Sequence, residues 1–157
     1  MSGKAYEGEA SASGRRVAIV AARFNEYIVA SLLQGALGAW EQRGGAPDDL
    51  LVARVPGAFE IPVVARRLAA SRRFDAVVAL GCVIRGDTPH FEYVAGECVR
   101  GLQQTSLDTG IPVSFGVLTV NTVEQALERA AVNGANKGAE ALHAALEMAA
   151  LLAQLPA

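Results

Sequence analysis

The residues from 81 to 94, GCVIRGDTPHFEYV, form a dense group of side chains that could do chemistry. Positions 81–88 read G-x-x-x-x-G-D-T, the spacing of a nucleotide-binding P-loop, except that Asp87 stands where such a loop has its lysine. A carboxylate at this position would repel a triphosphate. The stretch therefore argues against an NTPase, and the helix start that follows becomes the feature of interest.

Thr88 and Pro89 predict where that helix begins, because threonine is a good N-cap and proline suits the first helical position. The free amides and positive dipole end of a helix bind small anions such as a single phosphate group. His90 would lie on the first turn, where the dipole keeps the imidazole neutral and able to accept a proton, although a bound phosphate would act in the opposite direction. Two alternatives stay open: a plain helix cap, and a surface histidine without a role.

Two other loops hold side chains suited to small-molecule recognition. In PGAFEIP, residues 56–62, two prolines bracket Glu60, which could hold hydroxyl groups in a fixed geometry or could be an acid in a first helical turn. In ARFNE, residues 22–26, Phe24 offers a flat face for a heterocycle, and Asn25 offers an amide that donates and accepts. Phe24 could equally belong to the core.

Two cations have no evident local role. Arg129 has no acid three or four residues away, so it is either solvated or available to fork onto a phosphate. Lys137 stands at a predicted helix start, where a positive charge opposes the helix dipole. Phe115 lies within an apolar strand segment and is expected in the core.

Cys82 and Cys98 are expected to be small buried residues rather than nucleophiles, because neither has a clear basic partner. They form no CxxC pair, and the chain has two histidines. The sequence therefore predicts neither a zinc site nor a disulfide framework.

These side chains must be positioned by an alternation of short apolar runs and longer segments of helical spacing. The runs RVAIVA, LLVARV, DAVVALG and PVSFGVLTV predict four strands. Helices are expected at about 26–43, 61–71, 89–109, 122–131 and 137–152. Nearly continuous apolar strands are typical of a parallel sheet covered on both faces, so the predicted fold is α/β, a three-layer αβα sandwich around a four-stranded parallel sheet. Ligands of such sheets bind at the carboxyl ends of the strands, where the loops above lie.

Length and composition set the outer limits. A chain of 157 residues, 52% hydrophobic and 19% charged, predicts one domain with a sizeable core, here residues 15–157. Residues 1–14 are small and polar without the apolar stretch of a secretory signal, so we expect a flexible tail and a cytoplasmic location. The sequence contains no apolar run of ~20 residues for a membrane span. A net charge of -2 without a basic block indicates no nucleic-acid partner.

The segments ARFNE, PGAFEIP, GCVIRGDTPHFEYV, ALERA and NKG, in this order and at these spacings, resemble the lumazine synthase family of riboflavin biosynthesis. The resemblance runs from about residue 15 to residue 152. It implies a flavodoxin-like fold and a transferase that condenses 5-amino-6-(D-ribitylamino)uracil with 3,4-dihydroxy-2-butanone 4-phosphate. The product would be 6,7-dimethyl-8-ribityllumazine, formed with loss of phosphate and water and with no cofactor.

The resemblance also implies a role for each candidate residue. His90 would transfer protons, and Phe24 would stack on the pyrimidine ring. The site for the pyrimidine and its ribityl chain would be lined by Phe24, Asn25, Ala58, Phe59, Glu60, Cys82, Val83, Ile84, Phe115 and Lys137. The phosphate site would comprise Asp87, Thr88 and Arg129. Asp87 would act through its backbone N–H, and it occupies a position that is often small or neutral in the family.

The family forms pentamers that sometimes assemble into icosahedral capsids, so the resemblance implies a homo-oligomer with active sites at the subunit interfaces. Phe115, Arg129 and Lys137 would come from the neighbouring subunit. The segment AVNGANKG shows no evident insertion of the kind associated with pentamers that stop short of a capsid. The main alternative is a non-catalytic lumazine or flavin carrier on the same scaffold. Such a carrier could lose His90, Arg129 and Lys137, all of which are present.

Overall fold

The computed structural model describes residues 3–157 of the chain. Four strands alternate with helices, a fifth helix follows at the end of the described residues, and two short 3₁₀ turns lie at Pro47–Asp49 and Ala58–Glu60. The strands are Val17–Ala22 (β1), Leu50–Val55 (β2), Ala76–Ile84 (β3) and Val113–Val120 (β4). The helices are Glu26–Gln42 (α1), Ile61–Ala70 (α2), His90–Thr109 (α3), Val123–Ala130 (α4) and Lys137–Gln154 (α5).

The strands form one parallel sheet in the order β2-β1-β3-β4. Every residue of β1 is buried, as is every residue of β3 except the last. One face of the sheet packs against α1, α4 and α5, and the other packs against α2 and α3. This arrangement confirms the predicted three-layer sandwich, since two central strands covered on both faces read as continuous apolar runs.

The edge strand β2 departs from the prediction that all four strands are covered on both faces. Leu51, Val52 and Arg54 are exposed, and Val55 is the one residue of β2 that is fully buried. The expectation of full burial was wrong here because β2 lies outside the area that the helices cover. An apolar run therefore indicated a strand but not its place in the sheet.

The third strand is longer than predicted. The sequence placed a loop at residues 81–88, but β3 continues to Ile84, and its register with β4 runs to the pair Ile84 and Val120. The P-loop-like spacing is thus half strand, and the loop is limited to residues 85–89. The start of α3 also falls one residue late: Pro89 occupies the cap position and His90 is the first helical residue.

The segment predicted to be a flexible tail, residues 1–14, includes Met1 and Ser2, which lie outside the described residues. Residues 3–14 contain no helix or strand but contact the domain. Ala12 is buried and donates its N–H to Arg43 O at 3.0 Å, and Gln154 Nε2 donates to Glu7 O at 3.0 Å. The segment therefore lies along α1 and α5, and its flexibility in solution stays a prediction.

The strand order creates one crevice suited to a ligand. The chain leaves β1 through α1 on one face of the sheet, and it enters β3 from α2 on the opposite face. The helices therefore diverge at the carboxyl ends of β1 and β3, which is the switch point where open parallel sheets bind ligands.

Candidate active site

Asn25 joins the two sides of this switch point. It follows β1 with a left-handed backbone, φ 62°, which asparagine tolerates better than most residues. Its Nδ2 donates to the carbonyl oxygen of Cys82 in β3 at 2.8 Å. Because the amide nitrogen is engaged in this way, Oδ1 is the atom of Asn25 that is left to accept a hydrogen bond from a ligand.

The loop after β2 supplies a carboxylate and an aromatic face. The backbone N–H of Gly57 donates to Glu60 Oε1 at 2.9 Å, so Glu60 is fixed within its own short turn. This contact supports the reading of Glu60 as an acid at a helix start, and it also leaves Oε2 to accept hydroxyl groups. The ring of Phe24 lies directly over Gly57, where a Cβ would come within 2.6 Å of Phe24 Cδ2.

These loops enclose an open pocket of about 360 Å³. Phe24 is 66% exposed and Phe59 is 60% exposed, so neither belongs to the core. The walls are mostly apolar, and their polar side-chain groups are the Glu60 carboxylate, the His90 imidazole and the Tyr93 hydroxyl. The lining residues are Phe24, Gly57, Ala58, Phe59, Glu60, His90, Tyr93 and Val94.

A smaller cleft of about 170 Å³ continues this pocket towards the sheet. It shares Phe24, Ala58, His90 and Val94 with the larger pocket, and it adds Asn25, Cys82, Val83 and Ile84. The structure thus brings together nine of the sequence-predicted site residues, namely Phe24, Asn25, Ala58, Phe59, Glu60, Cys82, Val83, Ile84 and His90.

Both cysteines are buried, as the sequence predicted. Burial raises the pKa of the Cys82 thiol to about 11 and that of the Cys98 thiol to about 11 as well. Thiols with such pKa values are protonated near neutral pH and are poor nucleophiles. The contact of Cys82 that matters for the cleft is its backbone carbonyl, which accepts the hydrogen bond from Asn25.

The loop between β3 and α3 lies beside His90. The amides of Gly86, Asp87 and Thr88 donate no hydrogen bond within residues 3–157, and all three residues are exposed. Thr88 Oγ1 accepts a hydrogen bond from the N–H of His90 at 3.4 Å, so the threonine supports the helix start. It does so from the position before the cap, because Pro89 takes the cap position that was predicted for Thr88. Free amides near a helix N-terminus are suited to binding an anion.

Phe115, Arg129 and Lys137 lie elsewhere, along a groove of about 440 Å³ between β4 and α5. Phe115 is 47% exposed, so the expectation that it lies in the core was wrong. The physical reason is that β4 is the other edge strand of the sheet. No residue that lines this groove also lines the pocket around His90.

Both cations of the groove have local partners, and for Arg129 this is contrary to the sequence prediction. Arg129 NH1 donates to Gln125 O at 3.0 Å and lies 3.9 Å from Glu128 Oε2. Glu128 was missed because the prediction looked for acids only three and four residues away from Arg129. Lys137 Nζ lies 3.2 Å from Glu140 Oε1 one turn further along α5. These contacts are largely solvated, so both cations can exchange them for an anionic ligand.

The sequence analysis missed the residues that hold the candidate residues in place. Asn136 is buried: its Nδ2 donates to Ser31 O at 3.0 Å and to Ala130 O at 2.9 Å, and its Oδ1 accepts from the N–H of Ala139 at 3.0 Å. It fixes the start of α5 and hence Lys137. Its place just before a helix is a recognisable N-cap signal. Gly57 and Tyr93, which line the pocket, had no such signal.

Clusters of three or more His, Cys, Asp or Glu side chains that could hold a metal ion are absent from the described residues 3–157. Within the same residues, no helix has both the length and the apolar character to cross a membrane.

The fold and the pocket together define a doubly wound α/β protein with a pocket suited to a small molecule at the switch point of its sheet. The family model of 6,7-dimethyl-8-ribityllumazine synthase matches residues 14–153. The chain therefore belongs to the 6,7-dimethyl-8-ribityllumazine synthase family, an enzyme family of riboflavin biosynthesis.

Proposed function

We propose that this protein is a lumazine synthase that condenses 5-amino-6-(D-ribitylamino)uracil with 3,4-dihydroxy-2-butanone 4-phosphate. The products are 6,7-dimethyl-8-ribityllumazine, phosphate and water. The observation that carries the proposal is the pocket at the switch point, where an exposed aromatic ring, a fixed carboxylate and a histidine meet in a family member.

The pocket has the groups that the pyrimidine substrate requires. The ring of Phe24 stacks on the heterocycle, and the backbone of Val83 and Ile84 pairs with its polar edges. The free oxygens of Glu60 and Asn25 accept hydrogen bonds from the ribityl hydroxyls. Ala58 and Phe59 complete the wall along that chain.

The sugar phosphate is bound at the loop between β3 and α3. The unpaired amides of Asp87 and Thr88 hold the phosphate, and the Asp87 carboxylate is turned towards solvent. Arg129 of a neighbouring subunit supplies the compensating positive charge. Phosphate is the leaving group, so these donors also stabilise the negative charge that develops as it departs.

The reaction begins when the 5-amino group attacks the ketone and water is lost to give a Schiff base. Elimination of phosphate follows, then tautomerisation, and finally the ribitylamino nitrogen closes the second ring with loss of water. His90 lies between the ring site and the phosphate loop, where it can relay protons for these steps, an effect of typically ~10²- to 10⁴-fold. Holding two substrates together contributes up to about 7–11 kcal/mol.

The site is completed by a second copy of the chain in a pentamer or a pentamer-based assembly. Two observations support this. Phe115, Arg129 and Lys137 lie in a groove that shares no residue with the His90 pocket. Three large side chains that line the pocket, Phe24, Phe59 and Tyr93, are mostly exposed in a single subunit, and exposed apolar surface of this kind is typical of an interface.

The test is an absorbance assay in which the protein is mixed with both substrates while the lumazine chromophore and the released phosphate are followed together. Equimolar appearance of both above the spontaneous rate would support the synthase. Tight binding of lumazine or flavin without any acceleration would contradict it and would instead indicate a carrier.

A further inference from the structure

Arg85 is the residue at which β3 ends and the loop to α3 begins, and the proposed reaction gives it no role. Its backbone N–H donates to Val120 O at 2.8 Å and so extends the pairing of β3 with β4 by one bond. The base of the side chain is therefore fixed to the sheet.

The guanidinium of Arg85 contacts two other elements. Its Nε donates to Asn121 Oδ1 in the loop after β4 at 2.9 Å. Its NH1 forms an ion pair with Glu92 Oε1 in the first turn of α3, and its central carbon lies 4.4 Å from the ring centroid of Phe91. The planar fork of arginine can make such divergent contacts at once, which a lysine cannot do. The hydrogen bond from Arg85 also holds the pKa of Glu92 below its usual range.

Asn121 is itself held by α4. The N–H of Asn121 donates to Gln125 Oε1 at 2.7 Å, and the N–H of Gln125 donates to Thr122 Oγ1 at 3.1 Å. The Arg85 guanidinium thus connects the first turn of α3 to a loop that is tied into the neighbouring helix.

The contacts of Arg85 flank the loop at residues 86–88, whose amides have no hydrogen-bond partner in the described part of the chain. Arg85 and His90 stand at the two ends of that loop. We propose that Arg85 is a positioning residue that holds the phosphate-binding loop and His90 in register with each other without touching the substrate. This inference rests on the proposed function, because it assigns the loop the role of binding phosphate.

Two other readings make different predictions. An exposed arginine–glutamate pair often contributes nothing measurable, in which case its removal changes neither the loop nor binding. Alternatively, the positive charge of Arg85 binds the phosphate directly. Loss of Asn121 would then leave phosphate binding unchanged, because asparagine carries no charge.

The experiment compares Arg85→Ala, Arg85→Lys, Asn121→Ala and Glu92→Gln with a matched control, Arg66→Ala. The control removes an arginine–carboxylate pair of 2.7 Å to Asp108 that links α2 to α3 far from the loop. Hydrogen exchange of residues 85–92 and binding of inorganic phosphate are measured first, without turnover, on variants whose assembly mass and unfolding midpoint match the wild type. Steady-state kinetics with both substrates follow.

We expect Arg85→Ala to speed exchange of the loop amides and to weaken phosphate binding about tenfold, the value of roughly one charge-assisted hydrogen bond. KM for the sugar phosphate should rise in parallel, while KM for the pyrimidine stays within about twofold because its contacts lie on the fixed strand and on other loops. Arg85→Lys should recover part of the loss. Asn121→Ala should change exchange and phosphate binding in the same direction to a smaller extent.

Unchanged exchange and phosphate binding in every Arg85 variant would overturn the inference. So would weakened binding in Arg85→Ala alone with Asn121→Ala and Glu92→Gln at wild-type values, since that pattern indicates direct contact. A wild-type protein that binds phosphate but makes no lumazine would contradict the proposed function and leave the exchange result to decide the role of Arg85.

Discussion

The His90 pocket and the β4 groove of the same subunit differ in how they are built. The pocket lies at the switch point of the sheet, is mostly apolar, and has its polar groups fixed by the bonds from Asn25 to Cys82 and from Gly57 to Glu60. The groove lies along an edge strand and carries Arg129 in a solvated contact. The difference teaches that the polar groups of the pocket are fixed within one subunit, whereas the cations of the groove are held by solvated contacts that they can exchange for others.

The same contrast separates the charges. The pocket combines one carboxylate with one imidazole, and the groove combines a guanidinium and an ammonium with a single acid, Glu140. The two substrates of the proposed reaction, one of which is a phosphate ester, would use both sets. The two sets line separate surfaces of a single subunit, so the proposed reaction would need a second subunit to complete the site.

The largest effect is expected when a variant of the pocket and a variant of the groove are combined in one assembly. We expect His90→Ala to lower kcat about 10²-fold or more without abolishing it. Arg129→Ala should lower the activity about 10- to 100-fold, since hydrogen bonds to charged groups contribute about 1.5–3 kcal/mol. When the two variants are coassembled in equal amounts, about a quarter of the sites in a ring should regain both residues and the matching share of activity.

The control for coassembly is a mixture of His90→Ala with Glu60→Gln. Both residues belong to the pocket, so every mixed site keeps one defect and activity should not rise above the average of the two. Recovery in this control, or none in the first mixture, would contradict the division of the site between subunits.

A second prediction concerns Asn136, which holds the start of α5 beside the groove. Asn136→Ala removes three hydrogen bonds made by a buried side chain and leaves Ser31 O and Ala130 O without that donor. The free energy of unfolding should fall by about 3 kcal/mol, measured by denaturant titration. The exposed Asn133 is the matched control and should change stability little. Equal losses from both substitutions would show that the contacts of Asn136 do not hold the start of α5.

A third prediction concerns the pocket. Gly57→Ala places a methyl group 2.6 Å from Phe24 Cδ2, so the ring must move. KM for the pyrimidine should rise about threefold to tenfold, since an aromatic stacking contact contributes about 0.5–1.5 kcal/mol. Gly38→Ala is the control, because nothing lies within 4 Å of its Cβ position. An unchanged KM for the pyrimidine in Gly57→Ala would show that Phe24 does not contact this substrate.

The smallest effect is expected for the thiol of Cys82. Its pKa of about 11 and its burial predict negligible reaction with a thiol reagent at pH 8 in the native protein and full reaction after unfolding. Cys82→Ala should leave kcat near the wild-type value, because the carbonyl accepts the bond from Asn25 whatever the side chain. Rapid native labelling or a large loss of activity would show that the sulfur takes part.

Much of the fold followed from the sequence because the central strands consist of continuous apolar residues. The helices were placed within a few residues, since glycine and proline punctuate them. Other features are set by tertiary context. Leu51 and Phe115 are apolar but exposed, because they lie in the edge strands of the sheet. Strand β3 continues past Gly81, where the sequence predicted its end, because its pairing with β4 runs on to Ile84.

The candidate site was predictable where a loop carries its own chemistry. Phe24, Glu60 and His90 lie after different strands, and parallel topology brings such loops to one edge. The sequence could not show that Arg129 lies in a separate groove, because helical spacing says nothing about distance across a sheet. It also gave no hint of Arg85, whose partner Asn121 is 36 positions away along the chain.

The segment before β1 has a further consequence for handling the molecule. Glu7 lies against Gln154 at the end of α5, and Ala12 lies against Arg43 at the end of α1. The two outer segments of the domain therefore leave it from the same side. A label, tether or fused cargo joined ahead of residue 7 or beyond residue 154 would project in a common direction, and a short peptide bridge could join the two to give a circular permutant.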